Sequence, residues 1–398
     1  MRLSPLEAAL SCIFLPSLPL LADTYLVLPF FNHTTKSNLN WIGESVAEDL
    51  RDALASEGVL TVSREDRQEA YRRLSIRPFA LLTKASVVKL AEIVDADHVI
   101  FGQFELREDS SNPNSRGTLK ISAEILDLHN LRKGPDFMAV GALEDLASLQ
   151  NHISWQALQF AVPKKAPSEE EFRQKRPPIR VDALEHYIRG LMAQHEEQKL
   201  KLLTQAVRID PRYSPAAFEL GKLQLERDHY AAAAEALSKV SPLDNRYRQA
   251  QFYLGAAKFY LKDYAGAQRA FETVVAEVPL NEVWNNLGVI QSRREDLAAA
   301  RDSFEKAVEG DRSDPDYHFN LGYVLWKARE FEKAAASLRR ALERDPEDSE
   351  ATTLLGRCLK QSGPKPGETK EGWERLKSNY EESAYLQLRS ILQGEQKP

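Results

Sequence analysis

The chain has 398 residues, of which 43% are hydrophobic and 28% are charged, and its formal net charge at pH 7 is −6. A chain of this length and composition buries a sizeable core and holds two or more domains. The modest net charge indicates neither a nucleic-acid partner nor an acidic tail. The two cysteines, Cys12 and Cys358, form no metal-ligand or CxxC spacing.

The amino-terminal stretch that ends at Ala22 has the features of a secretory signal peptide. Arg2 precedes an apolar run, and the small residue Ala22 stands before Asp23. This pattern predicts cleavage after Ala22 and a periplasmic or otherwise extracytoplasmic mature protein. The alternative, a buried first helix of a cytosolic protein, remains open. No later apolar run reaches the roughly 20 residues that span a bilayer, so we expect no transmembrane span in the mature chain.

Residues 23–162 alternate between the patterns of strands and helices. In chain order the predicted elements are a strand at 24–32, a helix at 41–58, a strand at 59–66, a helix at 67–76, a helix running into a strand at 86–106, strands at 117–128 and 136–143, and a helix at 143–160. Leu119, Ile121 and Ala123 alternate with polar residues, as in a half-buried strand. Interleaved strands and helices predict an α/β domain with a mixed sheet.

Residues 163–180 differ in composition from both of their neighbours. The stretch is charged and rich in proline, which predicts a linker or hinge between two domains.

A Leu-Gly pair recurs along the second half of the chain. Its glycines are Gly221, Gly255, Gly288, Gly322 and Gly356, so the spacing of the pair is nearly constant. A fixed period of about 34 residues predicts a solenoid of stacked units. Each unit contains two stretches with apolar residues three and four apart, hence two helices. We predict an array of about five to six units over residues 181–361, followed by a linker and a C-terminal capping helix over residues 362–398.

The repeated unit resembles the tetratricopeptide repeat family. That family has an aromatic residue, Leu-Gly, alanine, phenylalanine and proline at set positions over a unit of about 34 residues. Here one unit carries Trp284, Leu287-Gly288, Ala300 and Phe304. The resemblance implies an all-α superhelical solenoid whose first helices line a concave surface for peptides or partner proteins.

The front domain resembles the amino-terminal α/β domain of the TolB and FlgO-type envelope proteins. The residues that carry this resemblance are Leu28-Pro29-Phe30, Trp41-Ile42-Gly43-Glu44-Ser45, Ala96-Asp97, Gly102 and the run 119–127. The resemblance implies an assembly or interaction module of the cell envelope.

The tetratricopeptide resemblance also implies which side chains contact a partner. The candidate groove residues are Phe218, Phe252, Tyr260, Asn285, Arg293, Phe319, Tyr323, Lys327 and Arg357. Aromatic anchors with a few basic residues suit an extended or helical peptide that has apolar side chains and an acidic group. The alternative is that the aromatic residues, which recur at helical spacing, face the core.

No motif in the chain indicates catalysis. Nucleophile elbows, phosphate-binding loops and metal-ligand spacings are absent from the sequence, so we expect no catalytic, cofactor-binding or metal-ligating residues. The sequence favours a non-catalytic scaffold or adaptor of the bacterial cell envelope that binds protein or peptide partners. The alternative is a cytosolic regulatory protein whose α/β domain senses or docks a partner. The oligomeric state is left open.

Overall fold

The computed structural model describes residues 23–34, 36–107, 116–365, 372–382, 384–385 and 388. The predicted signal peptide lies outside the described residues. As the sequence predicts, an α/β domain with a mixed sheet precedes an all-α solenoid. Within the described residues, no helix combines the length and apolar character that a membrane crossing requires.

The sheet combines parallel and antiparallel strands. Its strands are β1 (Thr24–Val27), β2 (Phe31–Asn32), β3 (Leu60–Thr61), β4 (His98–Arg107), β5 (Thr118–Asp127) and β6 (Arg132–Ala142). They lie in the order β3-β1-β4-β5-β6, and β2 pairs with β4. The pairs of β1 with β3 and β4 are parallel and need helical crossovers, whereas β4, β5 and β6 are antiparallel and follow one another directly.

Helices cover both faces of this sheet. They are α1 (Asn40–Ser56), α2 (Arg64–Arg73), α3 (Lys84–Ile93) and α4 (Leu146–Ala161). Alternate residues of β1 enter two different cores, because successive side chains of a strand point to opposite faces. Tyr25 and Val27 pack in the core that contains residues of α1 and α4, and Leu26 and Leu28 in the core that contains residues of α2 and α3.

A buried cluster of charges ties α1 to α2. Arg67, which is 3% exposed, donates to Glu44 at 2.6 Å, to Glu48 at 3.0 Å and to the carbonyl oxygen of Val27 at 3.0 Å. Arg64 also bonds Glu44, at 2.7 Å. Two carboxylates taken out of water are tolerated because guanidinium groups satisfy them.

The stretch between the two halves is not the hinge that its composition predicts. It contains helix α5 (Glu169–Lys175), which begins with a capping box between Ser168 and Glu171. Phe172 is buried, and Arg176 donates to Asp49 of α1 at 2.6 Å. Helix formation and burial of Phe172 outweigh the local preference for a flexible linker. The α/β domain therefore shares a continuous apolar core with the first repeats.

The solenoid consists of helix pairs. Its first helices are α6 (Val181–Met192), α8 (Ser214–Glu226), α10 (Tyr247–Tyr260), α12 (Asn281–Arg293), α14 (Pro315–Lys327) and α16 (Ser349–Leu359), and its second helices are α7 (Glu196–Ile209), α9 (Tyr230–Leu237), α11 (Tyr264–Val275), α13 (Leu297–Gly310) and α15 (Phe331–Arg344). The Leu-Gly glycines let the two helices of a pair approach. A Cβ on Gly322 would lie 2.7 Å from Leu338 Cγ, and one on Gly288 would lie 2.7 Å from Phe304 Cε1.

The prediction of a C-terminal capping helix is wrong for residues 372–381. These residues contain no helix, and they lie along the first helices of the array instead of over its end. A Cβ on Gly356 would meet nothing within 4 Å, so that face of α16 is uncovered by the described residues. Side-chain amides of the array form hydrogen bonds with the backbone of residues 372–381. These bonds compete with the hydrogen bonds that the same backbone would make in a helix.

Candidate peptide groove

The first helices α10, α12, α14 and α16 form a groove that the chain itself occupies. We call the described part of residues 372–385 the C-terminal segment. It runs antiparallel to α14: Trp373 lies near the end of that helix, at Tyr323, and Lys377 lies near its beginning, at Asp316. Its far end reaches α10, where the ring of Tyr380 is 5.5 Å from that of Phe252.

Three asparagines bind the backbone of the C-terminal segment. Asn320 accepts a hydrogen bond from the amide of Arg375 at 2.8 Å and donates one to its carbonyl oxygen at 2.8 Å. Asn286 makes the same pair of bonds with Lys377, at 2.7 and 2.8 Å. Asn285 donates to the Arg375 carbonyl at 2.9 Å and accepts from Asn320 at 2.8 Å. These bonds recognise an extended backbone and do not require particular side chains.

Carboxylates surround the guanidinium of Arg375. It lies 2.8 Å from Asp348, 3.2 Å from Asp316 and 3.1 Å from Glu350, and its carbon is 3.7 Å from the centre of the Phe319 ring. Burial raises the pKa of Asp348, but the hydrogen bonds from Arg375 and from the Ala351 and Glu350 amides, with the charge of Arg375, together outweigh it, and the pKa lies below its ordinary value. The site therefore favours a planar cation that can pair with several carboxylates and stack on an aromatic ring.

A second cation site lies two residues further along the C-terminal segment, at Lys377. Lys377 Nζ is 2.6 Å from Asp316 and 2.8 Å from Asp314, over the ring of Tyr317. Burial lowers the pKa of Lys377, but hydrogen bonds to Asp314 and Asp316 outweigh it and raise the pKa above its ordinary value. Asp316 contacts both cations, so the two sites form one acidic surface.

The opposite end of the groove is basic and aromatic. The Glu374 carboxylate, whose side chain is 0% exposed, lies 3.0 Å from Arg293 and 3.9 Å from Lys327, and it accepts a hydrogen bond from Ser292. The Trp373 ring stacks on Tyr323 with centroids 6.2 Å apart. The Arg357 guanidinium is 5.2 Å from the same indole. This end therefore accepts an acidic group next to an aromatic one.

Apolar packing and single polar contacts fix the far end of the segment. Tyr380 and Tyr385 are buried in the core of the α10–α12 region. The Tyr385 hydroxyl donates to Glu277 at 2.9 Å, and the amide of Glu381 donates to Glu282 at 3.1 Å. Burial raises the pKa of Glu282, and the hydrogen bond from Glu381 opposes this rise.

The structure brings most of the candidate groove residues to the C-terminal segment. Seven of them contact it, namely Phe252, Asn285, Arg293, Phe319, Tyr323, Lys327 and Arg357. Phe252, Phe319 and Tyr323 are also members of the apolar cores, so these three side chains face the core and contact the C-terminal segment as well.

Two candidate residues lie away from the segment contacts. Phe218 is buried next to Tyr253. Tyr260 is 47% exposed and stacks on Tyr230 with ring centroids 4.4 Å apart.

The candidate set lacks the acidic side of the groove and two of its three asparagines. Asn286 and Asn320 occupy equivalent positions in consecutive units, two residues before the repeat glycine, and both are fully buried. Asparagine is a poor choice for a helix interior, so its recurrence at one repeat position is the signal that could have identified it. Asp314 and Asp348 also occupy equivalent positions, but each caps a helix, and that local role hid their second function.

A cavity of about 770 Å³ lies at the joint between the α/β domain and the first repeats. Its walls include two cross-domain ion pairs, Asp49 with Arg176 and Asp52 with Arg246. These four charges neutralise one another, so they give the cavity no selective field for an ion.

A smaller polar cluster lies where β1 and β4 begin. Asp23, Asp97 and His129 each place one potential ligand atom within 4.8 Å of the others. Asp97 accepts from the amide of Thr24 at 2.8 Å and pairs with His129 at 3.0 Å. These contacts explain the cluster as a polar network that joins the two strands.

The helical half matches a known repeat family. Residues 252–317 and 319–363 match the family model described as tetratricopeptide repeat. These residues form tetratricopeptide repeats. Proteins built from such repeats are generally protein-interaction scaffolds that use extended concave surfaces, and the match indicates no enzymatic family. Among curated protein sequences, none matches the chain significantly.

Solved structures with similar helix pairs include three proteins. MamA from Desulfovibrio magneticus RS-1 is 23% identical over 40% of this chain and 92% of its own, with a TM-score of 0.37. PilF of Pseudomonas aeruginosa is 22% identical over 45% of this chain and 83% of its own, with a TM-score of 0.38. YrrB is described as a tetratricopeptide repeat protein with an unusual peptide-binding site. It is 20% identical over 40% of this chain and 84% of its own, with a TM-score of 0.35.

Proposed function

We propose that this chain is a non-catalytic adaptor of the bacterial cell envelope whose repeat groove binds an extended segment of a partner protein. One observation carries the proposal: Asn286 and Asn320 each pair with both backbone groups of one residue of an extended chain. Side-chain amides placed in this way accept a backbone irrespective of the protein to which it belongs. The partner would therefore bind as a strand-like segment along α12 and α14.

The proposed partner contacts follow the course of the C-terminal segment. They are Phe252, Asn285, Arg293, Phe319, Tyr323, Lys327 and Arg357, with Tyr260 available to a longer partner, whereas Phe218 is 4% exposed and lies in the core. Tyr260 supports this extension, because its half-exposed ring lies on α10, the helix that the far end of the segment reaches.

The binding test uses a variant whose own C-terminal segment binds the groove more weakly than in the wild type. The full-length double variant R375E/K377E places two negative charges against Asp314, Asp316, Asp348 and Glu350, and it is used to capture crosslinked partners. Adding N286A/N320A is expected to remove most of the captured partner, because each lost backbone pair weakens a bound segment by about 1–3 kcal/mol. Adding Gln198→Ala, an exposed amide on α7, is the matched control. Equal recovery from all three proteins contradicts the groove as the binding site.

The envelope location rests on two features of the sequence. These are the signal-peptide pattern that ends at Ala22 and the resemblance of residues 23–162 to TolB and FlgO-type envelope domains. Amino-terminal sequencing of the protein from its native cell is expected to begin at Asp23. A chain that retains Met1 and fractionates with the cytosol favours the cytosolic regulatory alternative.

A further inference from the structure

We propose that the C-terminal segment is a built-in competitor for the groove. The partner is a protein segment that presents an aromatic, an acidic, an arginine, an apolar and a lysine side chain in that order along its chain. This partner binds by displacing the C-terminal segment. This inference rests on the proposed function, because it concerns the same groove. It adds the chemistry of the partner and a restraint on its binding.

The order of groups follows from the contacts of five consecutive residues. Trp373 stacks on Tyr323, Glu374 lies between Arg293 and Lys327, and Arg375 lies among three carboxylates. Leu376 packs between the two apolar cores of the array, and Lys377 pairs with Asp314 and Asp316. The groove is thus basic at one end and acidic at the other, and it selects both composition and direction.

The spacing of the two cations matches an extended backbone. Side chains at positions i and i+2 of a strand point to the same side, about 7 Å apart. Arg375 and Lys377 have this spacing, and their backbones pair with Asn320 and Asn286, which occupy the same position in consecutive repeats. One repeat step of the array therefore corresponds to two residues of the bound chain. A helical partner would place the same two cations on different faces.

The groove without an occupant is unfavourable, which explains why the chain supplies one. Asp314, Asp316, Asp348 and Glu350 face the same two cations, and removing those cations leaves four neighbouring negative charges. Asn285 and Asn286, which are 0% exposed in the occupied groove, would lose their hydrogen bonds to the segment backbone. Any ligand that replaces the segment must supply the same positive charge and the same backbone groups.

Covalent attachment gives the segment an advantage over a free partner. A tethered ligand competes at an effective concentration in the millimolar range for short flexible links. The apparent dissociation constant of a partner is raised as the fraction of chains with an unoccupied groove falls. Weakening the segment should therefore tighten partner binding without any change to the groove.

A labelled peptide of residues 372–388 of this chain tests the inference. Its binding to three full-length proteins is measured by fluorescence polarisation: the wild type, R375E/K377E and the control R339E/R340E. The control makes the same change in net charge at two exposed positions of α15. We expect R375E/K377E to bind the peptide at least about tenfold more tightly than the wild type, as expected when a competitor occupying nine-tenths of the grooves is removed. The control should bind like the wild type.

Two further proteins make each outcome decisive. R375Q/K377Q is a milder variant that should give an intermediate affinity, and it replaces R375E/K377E if that protein fails to fold. Adding N286A/N320A to the tighter-binding variant should abolish peptide binding. Equal, tight binding to the wild type and R375E/K377E overturns the competitor and leaves the peptide groove standing. No binding to any protein, or binding that survives N286A/N320A, overturns both proposals.

Discussion

The side-chain amide of Asn320 pairs with both backbone groups of Arg375, a residue 55 positions further along the chain. The two hydrogen bonds are each 2.8 Å long. Asn320 in turn donates to Asn285 at 2.8 Å, so the pair belongs to a buried amide network that crosses from α14 to α12. The position of the C-terminal segment therefore depends on side chains of two different repeats.

Asn320→Ala should loosen the C-terminal segment without unfolding the array. The lost backbone pair is worth about 1–3 kcal/mol, because a buried amide and carbonyl are left unsatisfied. Hydrogen–deuterium exchange over residues 372–380 should accelerate, while exchange in α6 and α7 stays the same. Gln198→Ala serves as the control, and unchanged exchange in the segment would show that Asn320 does not hold it.

Acid should release the segment through Asp348. Burial raises the pKa of this carboxyl, but the hydrogen bond and charge of Arg375, together with the Ala351 and Glu350 amides, outweigh it and hold the pKa below its ordinary value of 3.8. A lowered pKa contributes stability that is present above 3.8 and is lost as the pH falls through the lowered value. The fluorescence difference between wild type and Trp373→Phe gives the Trp373 emission, which should shift to that of a solvent-exposed indole on acidification below about pH 4.

Asp348→Asn is the matched variant for this pH dependence. Asparagine keeps the helix cap that Asp348 gives to Ala351, at 2.9 Å, but it removes the charge. The variant should dock its segment more weakly at neutral pH and should lose less docking on acidification. An identical acid transition in both proteins would assign the pH dependence to other groups.

Two glycines of the same Leu-Gly motif should respond oppositely to substitution. Gly322→Ala places a Cβ 2.7 Å from Leu338 Cγ and 3.3 Å from the carbonyl oxygen of Ala334, so it overpacks the helix pair by about 1–3 kcal/mol. Gly356→Ala meets nothing within 4 Å, and it should stabilise α16 by about 0.5–1 kcal/mol because alanine is the better helix former. Thermal unfolding measures whether each of the two substitutions lowers or raises the stability of the protein. Equal destabilisation would mean that α16 is covered.

Arg67→Met should destabilise the α/β domain strongly. It leaves the carboxylates of Glu44 and Glu48 buried without their principal cation, a change that costs about 3–5 kcal/mol. Arg72→Met is the control, since its side chain is 76% exposed and, among the described residues, pairs with Glu69 in the same helix. Denaturant unfolding followed by circular dichroism should show a large decrease in the free energy of unfolding for Arg67→Met and a decrease of less than about 1 kcal/mol for Arg72→Met.

Several features of the groove were predictable from periodicity. The nearly constant repeat places equivalent positions on equivalent faces, so Arg293 and Lys327, each five residues after a repeat glycine, could be assigned to one surface. The acidic side was harder to predict, because Asp314 and Asp348 stand at helix starts where capping already explains them. Polar residues with a local role give no sign of a second, distant partner.

The sequence by itself determined the solenoid. Each helix pair has an apolar stripe that it cannot bury alone, so a fixed repeat of that stripe requires neighbours stacked at a fixed step. Only the tertiary structure decided what happens to residues 372–381 and to residues 163–180. Both stretches have local patterns that suit other conformations, a capping helix and a flexible hinge. Distant contacts overruled those patterns: Asn286 and Asn320 pair with an extended backbone, and burial of Phe172 fixes the connection.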